Sequence, residues 1–193
     1  MGTGKIELAE AQALAESVLG HITPAMARIA VAGSIRRQKP IVGDIEVVGI
    51  PADRERLLQL LSDIGQHIKP SVPGVVPWTP KVDAKYLRLR LPQGVNLDVF
   101  LATPRNWGGI YLMRTGSAAG SDGTAQSGFV PGCFSRWKRI SEGGRMTDCM
   151  PTTAAGEQIA VPEEEDFFSL IRMRPVPPEE RVSRGAIKRY AID

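Results

Sequence analysis

The sequence has little of what would mark a zinc, disulfide-stapled or membrane protein. Cys133 and Cys149 are its only cysteines in 193 residues, with no CxxC pair and no Cys/His cluster. That argues against a structural zinc site. Two reduced thiols in a cytoplasmic setting are the plain expectation. No apolar run approaches a membrane-spanning length, and the N-terminus lacks the apolar core of a signal peptide. There are no internal repeats. Nor is there a strong excess of one charge: 24 Lys and Arg stand against 21 Asp and Glu, a net +3. The resulting pI near 9.0 is too mild to identify a nucleic-acid binder by itself. The length allows one or two small domains.

What is present is concentrated between Ala32 and Val48, which reads A-G-S-I-R-R-Q-K-P-I-V-G-D-I-E-V-V. Gly33-Ser34 breaks an apolar run and opens a short turn, offering backbone N–H groups and a hydroxyl to phosphate oxygens. Arg36 and Arg37 follow, one of them expected in a salt bridge and the other near phosphate. After Gly43 comes a strand-like piece in which Asp44 and Glu46 project to one face, about 6.5–7 Å apart along the backbone. Two carboxylates so placed repel unless a cation sits between them, and hard oxygen ligands suit magnesium.

Elsewhere, apolar periodicity predicts a helix over Ile6–Leu19, closed by Gly20, and another from Pro51-Ala52-Asp53 to Gly65. Strands are expected at Arg28–Ala32, Asp44–Ile50, Val82–Leu91 and Val95–Ala102. The last two form a hairpin about Pro92-Gln93-Gly94, and Pro70–Pro80 reads as loop. Tyr86, Arg88 and Arg90 alternate with leucines, giving that strand one polar face. Asp98 interrupts the apolar strand after it. Thr103-Pro104 predicts a helix start running to Arg114, Ser117–Gly128 a flexible loop or a poorly ordered helix, and Phe134–Ile140 a short helix around Trp137. Arg145–Val161 reads as a small hairpin with a loose tip. Pro162 and the acids after it open a helix that buries Phe167, Phe168 and Ile171. The basic tail Val182–Asp193 reads as a soluble end, with a DNA-contacting arm the other reading.

Gly-Ser-x-Arg-Arg, a short loop, Gly and then Asp-x-Glu resembles the active-site signature of the nucleotidyltransferase superfamily, and within it the family X (polymerase beta type) DNA polymerases. Glu46 stands where those enzymes usually carry Asp. The strand Asp98 and Thr115-Gly116-Ser117, seventeen residues later, match the family's third carboxylate and its Thr-Gly-Ser motif. The resemblance runs from about Lys5 to Arg181 and is weak from 118 to 160.

That resemblance implies an α+β fold: a palm with a mixed sheet flanked by helices over residues 1–103, and a small α/β thumb over 104–193. No helix-hairpin-helix or lyase domain is expected before the palm. It implies a monomeric DNA polymerase adding dNTPs to a primer 3′-hydroxyl on primer-template or gapped DNA, with repair-type gap filling as its use. The setting would be a host cytoplasm if the chain is phage- or virus-encoded. It also implies two magnesium ions, replaceable by manganese, on Asp44, Glu46 and Asp98. Gly33, Ser34, Arg37 and Gly43 would hold the triphosphate with Lys5 nearby, and Thr115, Gly116 and Ser117 would lie along the sugar. Arg136, Lys138 and Arg139 would touch DNA. The alternatives are transfer to RNA, a protein or a small molecule, and a non-catalytic DNA-binding relative.

The family's bulky Tyr-Phe pair beside the sugar is Met113-Arg114 here. Lower discrimination against ribonucleotides is therefore expected. Side-by-side incorporation of dATP and ATP checks it, and a selectivity matching that of the Tyr-Phe enzymes would refute it.

Overall fold

Alternation of apolar and polar residues in the first half of the chain builds a five-stranded mixed sheet. The computed structural model describes residues 4–67, 84–120 and 122–192, in two units, Met1–Ala102 and Thr103–Asp193. In the first, β1 (Ile6–Glu7), α1 (Leu8–Ile22), β2 (Met26–Val31) and the single turn α2 (Gly33–Arg36) lead to β3 (Ile41–Val42) and β4 (Asp44–Pro51). Then come α3 (Arg54–Ile64), β5 (Gln66–His67), β6 (Tyr86–Arg90) and β7 (Asn96–Leu101). The sheet order is β2-β4-β7-β6-β5. Strands β4 and β7 are parallel, and every other neighbouring pair is antiparallel. The expected loop at Pro70–Pro80 and the Val82 end of the hairpin strand lie outside the described residues.

One face of this sheet is apolar. Ile45, Val47, Leu87, Leu89, Leu97 and Val99 are each fully buried, against Ala11, Ala15 and Val18 of α1 and Leu57 and Leu61 of α3. Each such leucine contributes about 1.5–3 kcal/mol. The same stripe extends α1 past the expected stop. Ile22 is fully buried one turn beyond Val18, and that burial outweighs the roughly 1 kcal/mol cost of Gly20 inside the helix. Ile6, expected in the helix, pairs with Val42 instead. Asp53 caps α3 by accepting a hydrogen bond from Arg56 N at 2.9 Å, and Gly65 ends it.

The second unit contains α4 (Trp107–Thr115), α5 (Phe129–Ile140), the hairpin β8 (Arg145–Thr147) and β9 (Met150–Thr152), α6 (Glu164–Leu170) and α7 (Gly185–Tyr190). Leu112, Phe129, Cys133, Trp137, Phe167 and Phe168 share its core. Helix α4 starts later than Thr103. The Asn106 side chain accepts from Thr103 N and Oγ1 at 2.7 and 2.9 Å, which folds residues 103–106 into a turn. Helix α5 starts five residues early because Phe129, Val130 and Cys133 lie on the buried face of Trp137. Pro131, in its first turn, removes no helical hydrogen bond. The β8–β9 tip is tight rather than loose, with Asp148 and Cys149 at φ 51° and 60°, as in a mirror-image hairpin turn. The tail is not a free end: Ala186 and Ile187 of α7 are buried, and Ile192 N donates to Arg172 O at 2.8 Å.

At the start of α6 Glu163 and Asp166 form a reciprocal cap, while Glu164 turns inward to Arg181. Both are buried. They form a forked pair, with Nη1–Oε1 at 2.5 Å and Nη2–Oε2 at 3.2 Å, and Arg181 Nε donates to Val176 O at 2.8 Å. Among the described residues no helix is long and apolar enough to cross a membrane. Glu164→Ala, which strands the Arg181 charge in the core, is expected to cost about 3–5 kcal/mol. The lowered urea midpoint of the second unit's transition checks this, with recovery expected in the double variant Glu164→Leu/Arg181→Met.

Candidate active site

The sheet face opposite the apolar core carries the chemistry. Parallel pairing of β4 with β7 sets Glu46 across from Asp98 and Asp44 across from Asn96. Antiparallel pairing of β7 with β6 sets Asp98 across from Arg88 and Asn96 across from Arg90. Two rows therefore cross three strands, Glu46–Asp98–Arg88 and Asp44–Asn96–Arg90, with neighbouring strands about 4.8 Å apart.

Asp98 is the buried member, 3% exposed. Arg88 donates to both of its oxygens, through Nε at 2.6 Å and through Nη2, and Tyr86 OH donates to Oδ1 at 2.8 Å. Arg88 Nη2 also lies 3.9 Å from Asp44 Oδ2. The hydrogen bonds to Asp98 hold the Arg88 proton more tightly than usual. Burial and then the bond to Asp98 push the Tyr86 phenol up. Burial, then the Asp98 charge, raises the Asp44 pKa from its ordinary value, with Arg88 and Arg37 opposing. Burial lowers Arg37, whose charge Glu46 and Asp44 support.

Glu46 rests on Gly33. A Cβ at Gly33 would sit 1.9 Å from Glu46 Oε2, and Gly33 also has φ +63°. Both facts require glycine. Ser34 Oγ is buried and has no hydrogen-bond partner among the described residues. Gly43 has open space where a Cβ would be, so packing does not explain its glycine. Lys5 is exposed and precedes Ile6, whose partner Val42 adjoins Gly43. Thus Gly33, Ser34, Arg37, Gly43, Asp44, Glu46 and Asp98 all belong to one end of the first unit's sheet. Among the described residues no three acidic, imidazole or thiol groups are arranged to hold a metal, since the oxygens of Asp98 face Arg88 and Tyr86.

The remaining expected residues lie in the second unit. Thr115 is buried at the end of α4. Gly116 allows Phe129 and Val130 to approach, a Cβ there lying 2.7 Å from each. Ser117 N and Oγ donate to Arg181 O and Val182 O at 2.9 and 2.8 Å, and its own oxygens accept from Val130 N and Phe129 N. This motif locks the unit's own chain together. Met113 is half-buried and Arg114 exposed on the last turn of α4. Arg136, expected on DNA, donates to the backbone oxygens of Ile171, Arg172 and Ile192, while Lys138 and Arg139 are exposed.

Sequence reading missed Arg88 and Tyr86 as partners of Asp98. The tight turn, where Gly94 N donates to Leu91 O, fixes the register that makes Arg88 face Asp98. No family model matches the chain, and no curated protein matches it.

An ionised Asp44 is disfavoured by the fold, so its contribution is a penalty at neutral pH that protonation relieves. Asp44→Asn is expected to raise the urea midpoint at pH 7. The gain should shrink as pH falls through Asp44's raised folded pKa and vanish near its unfolded value of about 3.9. Urea midpoints of both proteins across pH check this.

Proposed function

We propose that the chain is a nucleotidyltransferase of the family X type that extends a DNA 3′-hydroxyl with dNTPs. The first unit serves as the palm and the second as the thumb. One observation carries the reading: Asp44, Glu46 and Asp98, distant in sequence, share one face of adjacent parallel strands beside the Gly33-Ser34 turn. The donor set suits a divalent ion. It is all carboxylate oxygen, its charge is only partly offset by Arg88, and Asp44 is held in an unfavourable charge state that a second cation relieves.

Asp44, Glu46 and Asp98 would hold magnesium, or manganese in its place, and the ions would supply Lewis acidity to the reacting hydroxyl and phosphoryl group. The orphaned Ser34 hydroxyl is a donor for a phosphate oxygen, and the half-buried Arg37, within charge range of Glu46 and Asp44, supplies compensating positive charge. Open space at Gly43 admits a ligand close to the backbone. Arg88 keeps the acidic face neutralised until substrate arrives. Its withdrawal exposes Asp98 oxygens that can accept the hydroxyl proton.

A second reading, transfer to an acceptor other than DNA, is favoured by one observation. Ser117 and Arg136, expected at the sugar and the DNA, are engaged inside the second unit. A labelled primer assay with and without template, in magnesium or manganese, separates the two. Templated extension, reduced on the order of 10²-fold or more in Asp98→Ala, is the expected result. Transfer only to tRNA or protein supports the second reading, and absence of any transfer overturns both.

A further inference from the structure

Tyr86 and Arg88 of β6 converge on one carboxylate, Asp98 of β7. Neither belongs to the signature that resembles the family X enzymes. The strand register explains the convergence. Arg88 stands directly opposite Asp98, while Tyr86 stands opposite Phe100, two residues further along β7. An aromatic side chain is long enough to reach such a diagonal neighbour across a sheet. The Tyr86 ring stacks on Phe100, with centroids 5.0 Å apart and planes at 21°. The Arg88 guanidinium carbon lies 5.9 Å from its centre. The hydroxyl is therefore carried on an arm held by its neighbours.

The two donors differ in what they do to the carboxylate. Arg88 spans both oxygens, with Nε on Oδ1 at 2.6 Å and Nη2 on Oδ2. The same Nη2 lies 3.9 Å from Asp44 Oδ2. A positive charge of the chain's own thus stands against both acids, and it opposes any second cation there. Tyr86 touches Oδ1, at 2.8 Å, and a phenol brings no charge. It can keep its bond while the guanidinium is displaced. The terminal torsion of an aspartate is soft, so a carboxylate released by Arg88 with no other donor would turn freely. With Tyr86 in place, Oδ1 stays bonded and Oδ2 is the oxygen set free.

We propose that Tyr86 is the positioning residue of the acidic site: it holds Asp98 by Oδ1, so that Oδ2 is left to join Asp44 on a divalent cation, in competition with Arg88. The inference rests on the proposed function for that cation. It adds a residue that orients a ligand without touching the cation, the arrangement by which outer hydrogen bonds set metal affinity.

Binding of Mn²⁺ to the full chain, without nucleotide or DNA, tests this through the loss of the free-ion electron paramagnetic resonance signal. Tyr86→Phe keeps the ring and its stacking on Phe100 and removes only the hydroxyl. It is expected to weaken Mn²⁺ binding roughly tenfold or more. Arg88→Gln, which removes the competing charge and keeps a hydrogen-bonding side chain, is expected to tighten binding about tenfold. In an Asp98→Asn background Tyr86→Phe should cost less than about twofold, because its effect passes through Asp98. Melting temperatures measured without metal establish that each variant is folded. Four results would overturn the inference: unchanged binding in Tyr86→Phe, weaker binding in a folded Arg88→Gln, the same tenfold loss from Tyr86→Phe with and without Asp98, or no Mn²⁺ binding by the unaltered chain. Primer extension is scored separately. Extension by the unaltered chain with Mn²⁺ affinity unmoved in Tyr86→Phe refutes the positioning role alone. The expected Mn²⁺ pattern without extension refutes the polymerase reading alone.

Discussion

The pairing of Arg88 with Asp98 is what allows the first unit to place three carboxylates on one sheet face. A buried carboxylate without a partner carries a desolvation penalty of several kcal/mol, and Asp98 is the most buried of the three. Arg88 removes that penalty with two hydrogen bonds, Tyr86 adds a third, and the same guanidinium reaches toward Asp44. The charge balance and the sheet topology are therefore one constraint. If the β6–β7 register slipped by one residue, Arg88 would turn toward the leucine core and Asp98 would lose its counter-charge.

Around this row the backbone is arranged for close approach. The Glu46 carboxylate occupies the space that any side chain at residue 33 would need. The single turn of α2 then carries Ser34, and Arg37 at its end is close enough to feel the charges of Glu46 and Asp44. The residue types are those a phosphate and a divalent ion require. The structure adds the reason glycine must stand at 33 and leaves the glycine at 43 without a packing reason.

The sheet face was legible because strands have a period of two: Asp44 and Glu46 must share a face, as must Tyr86, Arg88 and Arg90. The leucine alternation likewise located the core. Helix limits were less legible, since local signals yield to burial. Gly20 looks like a stop, yet Ile22 is drawn into the core. Thr103 looks like a cap, yet Asn106 takes it into a turn. The role of Ser117 was not legible at all, because its partners lie 65 residues away at Val182 and no local pattern encodes them. The basic tail looked solvated because the two apolar residues its helix buries, Ala186 and Ile187, give too short a pattern to announce a helix.

The bonds from Ser117 to Arg181 and Val182 bear on the order in which the chain is built. The first unit draws its core from residues up to Leu101, so a nascent chain can complete that core while the second half is still being translated. The second unit cannot. Its hub at Ser117 waits for the segment around 181, and the core around Phe129 and Cys133 waits for Ile187. Each half therefore keeps apolar surface uncovered until its last core segment has been made, around Leu101 in the first and around Ile187 in the second.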